Sequence, residues 1–337
     1  MSITGPVHWL ATYCLLVMTA SSQAATIDTA LVGNVNNPPD ANGRGSVAKY
    51  FRIATKEVTN TQYVEFLNAV AASDPYGLYR TEMSTELKGG ILRSGSSGSY
   101  SYSVKSPGQS GAYDYAKKPV MYVSWYDSIR FTNWLHNGQG SGNTETGAYT
   151  LLGGTPIPSN GASITRNAGA RWFLPSEDEW YKSAYHKNDG VTGNYWDYPT
   201  QSDTPPNNLL PTSDIGNSAN HVNNSGGYTR GPTYPMTDVG EYPITVGPYG
   251  TKDQAGNVFE WTEMLFNVSD RVARGGSWNH FNSDMRFSSF RVFAASLESS
   301  TVGFRVATIP EPGTLLLGML GGLVYLSRLG HNGNASY

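Results

Sequence analysis

Asp253-Gln254-Ala255-Gly256-Asn257-Val258-Phe259-Glu260-Trp261 is the stretch on which the reading of this 337-residue chain turns. Gly256-Asn257 is a tight-turn pair. Asp253 and Glu260 flank it, seven positions apart. Their carboxylates can converge on one hard cation if the turn also offers backbone carbonyls, because calcium accepts about six to eight oxygens at roughly 2.3–2.6 Å. The same residues have a second reading without metal, in which Glu260 pairs with a buried arginine such as Arg274 or Arg305. Downstream lie Arg274-Gly275-Gly276-Ser277-Trp278 and Gly303-Phe304-Arg305. Consecutive glycines let backbones approach closely and a tryptophan fills a core slot, so the first of these reads as structural. Trp125, Trp180 and Trp261 are core candidates for the same reason.

Upstream, three further segments stand out: Lys56-Glu57-Val58-Thr59-Asn60, Pro119-Val120-Met121-Tyr122-Val123-Ser124-Trp125, and Arg171-Trp172-Phe173-Leu174-Pro175-Ser176-Glu177-Asp178-Glu179-Trp180. Each leads into a helix. Thr59 to Gln62 is a capping box, with Val58 and Tyr63 spaced as a hydrophobic staple. Ser124 to Asp127 opens a second helix, which Gly138 closes. Ser176 to Glu179 opens a third, its acidic first turn suited to the positive end of the helix dipole. Val47 to Ile53 alternates and reads as a strand. Arg93 to Lys118 and Gly190 to Gly250 read as loop, and loops this long need pins such as metal ions or buried aromatics.

Taken in chain order, these segments resemble the formylglycine-generating enzyme domain, also called the sulfatase-modifying factor domain, from about Val47 to Ala307. The resemblance implies an α+β, C-type-lectin-like fold, loop-rich, with few short helices and strands. It implies a structural calcium on the Asp253 and Glu260 side chains and the Gly256 and Val258 carbonyls, and a second calcium site beginning at Asn220 and the His221 carbonyl. The enzymes that name the family oxidise a substrate cysteine with copper(I) held by two cysteines between the Gly-Gly-Ser-Trp and Gly-Phe-Arg segments. Here that interval, Asn279 to Val302, has no cysteine, and Ser288 or Ser289 cannot stand in for a soft thiolate. No copper is expected. A related branch of the fold forms carbon–sulfur bonds with iron held by three histidines on an additional helical domain, which this chain lacks. His136, His186, His221 and His280 form no spaced ligand pair, and no Gly-x-Ser-x-Gly elbow suggests a hydrolase.

The ends read as targeting segments. Residues 1–24 have an apolar stretch, Trp9 to Met18, and Ser22-Gln23-Ala24 at a spacing a signal peptidase accepts. Cys14, the chain's one cysteine, falls inside it. Residues 25–46 read as an N-terminal extension and 47–308 as the domain. Over residues 309–329, Pro310-Glu311-Pro312, the apolar run Thr314 to Leu326 and Arg328 resemble a PEP-CTERM sorting tail, and 330–337 form a polar end. That resemblance implies an exosortase-type partner, weak or transient membrane anchoring, and export to the cell surface or beyond. Thirteen apolar residues fall short of the roughly 20 a stable span needs.

Composition agrees with an exported, loop-rich protein. Charged residues are 15%, against about 25% in ordinary domains. The net charge of −3 gives phosphate neutralisation little to work with, so nucleic acid is not an expected partner. Two functions compete. One is a non-catalytic binding or structural module for extracellular polysaccharide or a surface protein, with Tyr195 to Tyr198 and Tyr100 to Tyr115 as aromatic platforms unless these side chains are buried. The other is an enzyme on this fold, oxidase-like or of unknown type.

Overall fold

The structure, a computed structural model, describes residues 24–106 and 113–310. The expected signal segment up to Gln23, with Cys14, and the apolar tail from Glu311 onward lie outside the described residues.

All three capping boxes start helices. Thr59 Oγ1 accepts from Gln62 N while Gln62 Oε1 accepts from Thr59 N, opening α1, Asn60–Val70. The single turn α2, Glu82–Thr85, has no side-chain cap. Ser124 and Asp127 exchange the same pair of bonds at the head of α3, Trp125–His136. Ser176 and Glu179 do so for α4, Glu177–Tyr185. Every residue of α3 from Trp125 to Leu135 is buried, so this helix is the axis of the core. Phe66 of α1 meets Phe131 and Trp134 of α3 with ring centroids 5.4 Å apart in each pair.

Among the described residues the strands are short and lie in three sheets. The first runs β1 (Thr29–Val32), β2 (Phe51–Ala54), β10 (Ala307–Thr308), β5 (Trp172–Phe173), antiparallel throughout. β3 (Ile91–Ser94) and β4 (Ser101–Val104) form a hairpin within a stretch whose Ser/Gly content reads as loop. The third sheet runs β8 (Arg291–Ala294), β7 (Asp270–Arg274), β6 (Phe259–Leu265), β9 (Val302–Gly303), with β6 and β9 parallel. The alternation at Val47–Ile53 is real only from Phe51, where Phe51 and Ile53 are buried and Arg52 is not. Residues 25–46 are tied into the fold: β1 pairs with β2 over four positions, Thr29 opposite Ala54 through Val32 opposite Phe51. The described residues form four α-helices and short strands in a loop-rich α+β fold.

The long connection 190–250 is pinned by polar side chains as well as aromatics. Asp214 accepts from Gly216 N, Ile244 N, Thr245 N and Thr245 Oγ1. Burial pulls its pKa up, but these bonds outweigh that and hold it at about 2.

Candidate functional site

The expected calcium residues come together around a buried guanidinium. Glu260, at the start of β6, is fully buried and gripped on both oxygens by Arg305: Nε to Oε2 at 2.5 Å and Nη2 to Oε1 at 2.6 Å. Trp180 Nε1 from α4 donates to Oε2 at 2.6 Å. The metal-free alternative for Glu260 is therefore present, with Arg305 as partner. Arg274 pairs instead with Glu177 on the first turn of α4, Nε to Oε1 at 2.6 Å. Asp253, with φ at 58°, accepts from Gly240 N. Gly256 has φ at 82°, and a Cβ there would sit 2.3 Å from the Asn220 carbonyl oxygen, so only glycine fits. Val258 is buried beside it. Asn220 spends its amide on the Pro235 carbonyl and on Asn257 Oδ1, at 2.8 and 2.9 Å, and Asn257 N donates to the Asn220 carbonyl. The Asn220 side chain thus braces the turn.

Glu57, from the Lys56-Glu57-Val58-Thr59-Asn60 segment, joins this group. Its Oε1 accepts from Asn257 Nδ2, while Oε2 is buried without a hydrogen bond. Burial pushes its pKa well above the usual carboxylate range, and the charges of Asp253 and Glu260 add to that. Burial likewise raises Asp253, to about 6. Three carboxylates share one guanidinium, so the cluster carries surplus negative charge and an orphaned oxygen, which suits a hard cation in donor type and charge. The grip of Arg305 on Glu260 does not suit one, and among the described residues no three His, Cys, Asp or Glu side chains are grouped as a metal centre.

The interval that holds the oxidases' cysteines is here a largely exposed or half-buried segment that leads into β8. It starts with a 3-10 turn, Asn282–Met285. Ser289 Oγ donates to the Ser283 carbonyl at 2.7 Å. Arg274 Nη1 reaches underneath to the carbonyls of Phe287 and Ser289, at 3.0 and 2.8 Å. Arg291 pairs with Asp284 at 2.6 Å. Ser277 Oγ, wholly buried, meets Nδ1 of the half-buried His280 at 2.6 Å. His136, His186 and His221 also hold hydrogen bonds, to backbone groups of Arg171, Asn188 and Val222 among others.

The aromatic platforms are largely inside. Tyr102, Tyr113, Tyr115 and Tyr198 are buried, and Tyr195 spends its hydroxyl on Asn37 and the Gly45 carbonyl. An open cleft of about 550 Å³ lies elsewhere, between Tyr79, Tyr126, Asp127 and Glu298. No sequence pattern marks it, because its walls come from four segments far apart in the chain. Asp127 reads in the sequence only as a helix cap.

The comparisons with known proteins fit this architecture. The model of the FGE-sulfatase family, described as a sulfatase-modifying factor enzyme 1-like domain, matches residues 26–309. No curated protein matches the chain. Among solved structures, CarF aligns with a TM-score of 0.52 and 21% identity over 85% of this chain and 99% of that one. Treponema denticola variable protein 1 aligns with a TM-score of 0.51 and 19% identity over 86% of this chain and 99% of that one. PvdO from Pseudomonas aeruginosa gives a TM-score of 0.43 at 17% identity, over 85% and 92% of the two chains. At these identities the likeness to CarF and the Treponema protein is one of fold. On the family match, the chain belongs to the sulfatase-modifying factor enzyme 1-like domain family.

Proposed function

We propose that this chain is an exported, non-catalytic member of its family, a binding module at the cell surface or in the extracellular matrix. The observation that carries the proposal is the absence of a cysteine pair. The chain has one cysteine, Cys14, far from the interval Asn279 to Val302 where the family's oxidases bind copper(I). The interval's one sulfur is the buried Met285 thioether, and it holds no thiolate, the donor copper(I) prefers. Export rests on the leader-like segment at residues 1–24. An exosortase-type partner and weak membrane anchoring rest on the tail from Pro310. No helix among the described residues is long and apolar enough to cross a membrane. Structural calcium on Asp253, Gly256 and Val258, with Glu260 beside them, is supported by the surplus of buried carboxylates.

The deciding experiment has two arms. Purified protein loaded with copper(I) is incubated with a cysteine-containing sulfatase-motif peptide, and aldehyde is read by hydrazide capture. The same protein is passed over extracellular polysaccharide. No aldehyde and specific retention are expected. Catalytic aldehyde formation would end the non-catalytic reading, and loss of retention would end the binding reading.

A further inference from the structure

Residues 25–28 are held along α1 by polar side chains. Ala24 is exposed, but Ala25 is only 5% exposed and belongs to the core. Gln139, just past α3, donates Nε2 to the Ala25 carbonyl at 3.0 Å. Gln62 donates to the Thr26 carbonyl at 2.8 Å, and Ile27 shares a cleft with Thr59 at the head of α1. Traced backwards from Ile27 to Ala25, the chain therefore runs along α1 toward Glu65, which stands one turn beyond Gln62 on the same face. Trp134 lies across from it: its carbonyl accepts from Gln139 N, and its ring packs on Phe66, next to Glu65. Two acceptors are left over here. Gln139 Oε1 and Glu65 Oε2 are buried without a hydrogen bond among the described residues, and the Ala25 N–H donates to nothing among them. Burial alone raises the Glu65 pKa, with no cation opposing it. A buried carboxylate oxygen without a donor costs free energy, so a donor belongs there.

We infer that the missing donor is the α-ammonium of Ala25 itself, made when the leader is removed, and that Glu65 and Gln139 are its docking site. The bond after Ser22-Gln23-Ala24 is one that a signal-peptidase-type protease accepts. Its hydrolysis consumes one water, leaves a carboxylate on Ala24 with the departing leader, and leaves an amine on Ala25. The ordinary pKa of such an amine, about 7.7–8.0, keeps it protonated at neutral pH. The ammonium offers three protons where the amide offered one. Gln139 then holds Ala25 through both ends of its own amide, Nε2 on the carbonyl and Oε1 on the ammonium, while Glu65 supplies the opposite charge. A hydrogen bond between two charged groups is shorter and stronger than a neutral one. The uncleaved chain lacks this contact, because its Ala25 nitrogen is uncharged and carries Ala24. A bridging water would serve the same oxygens but bring no charge to Glu65. The site therefore favours the processed chain over its precursor. The inference rests on the export reading of residues 1–24 and adds a structural consequence of cleavage.

The test compares the chain beginning at Ala25 with the same chain preceded by Gly-Ser, each with and without Glu65→Gln. The extension is expected to lower Tm by about 2–4 °C in the wild type. It should lower Tm much less in Glu65→Gln, where the ammonium has already lost its charged partner. Acetylation by a limiting amine reagent, read by mass spectrometry, gives a second measure. The Ala25 amine should react at least tenfold more slowly in the folded wild type than in folded Glu65→Gln. An extension that costs the same in both backgrounds, or an amine equally reactive in both, overturns the docking. N-terminal sequencing of the exported chain separates this from the export reading. A chain that is exported and begins at Ala25, yet melts the same with and without the extension, leaves export standing and the docking site wrong. A chain kept inside the cell with residues 1–24 attached ends both.

Discussion

Glu260 shows how one residue supports two readings until its neighbours are in place. Its spacing from Asp253 pointed toward calcium, and the arginines Arg274 and Arg305 toward a buried ion pair. The partner is Arg305, 45 positions away, because β6 and β9 run parallel and bring the Gly303-Phe304-Arg305 segment alongside. No local pattern could select between the two arginines. Breaking a buried pair strands a charge, so Arg305→Met should destabilise the domain by about 3–5 kcal/mol, while Arg305→Met with Glu260→Leu recovers much of it. Denaturant midpoints of the two variants check this, and a double variant no better than the single would contradict it. Glu298 makes a pH prediction. Burial, then the charge of Asp127, raises its pKa from 4.5 to about 7, with Glu82 and Asp74 adding and Arg80 opposing. A carboxylate that holds its proton more tightly when folded stabilises the fold fully below about pH 4.5, and that contribution is lost as pH rises through 7. Screening at this partly exposed group limits the loss to about 1 kcal/mol. Wild type should therefore lose ground relative to Glu298→Gln between pH 5 and pH 8 in thermal melts, and parallel melts across that range would refute the assignment.

At the scale of elements, legibility divides between helices and strands. Helix starts were plain because the capping box is a local device: Thr59, Ser124 and Ser176 each bond a partner three residues on. Strands of two to five residues carry too few alternations to register, and β5, β9 and β10 are two residues each. They exist because distant segments pair. Trp172–Phe173 is a strand only since Ala307–Thr308 lies beside it. The β3–β4 hairpin hid in a Ser- and Gly-rich stretch, and β1 in residues that looked like an extension. The cleft was invisible for the same reason, being assembled from three loops and the head of α3. The caps can be tested one at a time. Thr59→Ala removes the oxygen that accepts from Gln62 N and should cost about 1 kcal/mol, with Thr59→Ser close to wild type. Chemical denaturation resolves the two, and equal losses would show that the threonine methyl matters more than its hydroxyl.

Across the whole molecule, polar interactions carry an unusual share of the organisation. The chain is 15% charged, yet among the described residues buried Arg130, Arg274 and Arg305 each hold a carboxylate, and the last two reach across 97 and 45 positions of sequence. The cluster of Glu57, Asp253 and Glu260 is the exception, with three carboxylates to one guanidinium and an unpartnered Glu57 oxygen. Such a surplus can be met in two ways: by protons, which the raised pKa values of Glu57 and Asp253 describe, or by a cation. The two differ in a measurable way. If calcium binds the folded chain through Asp253 and the Gly256 and Val258 carbonyls, millimolar calcium should raise Tm and chelator should lower it, with the rise growing as the logarithm of free calcium, about 2.7 kcal/mol at a hundred times Kd. Asp253→Asn should remove most of that dependence while folding in its absence. Magnesium should substitute poorly, since it demands tighter octahedral geometry than a loop of carbonyls provides. If chelated and calcium-loaded protein melt together, the cluster is neutralised by protons alone. In that case the Glu260–Arg305 pair alone fixes the Asp253 to Trp261 stretch against the Gly303-Phe304-Arg305 segment, without a metal.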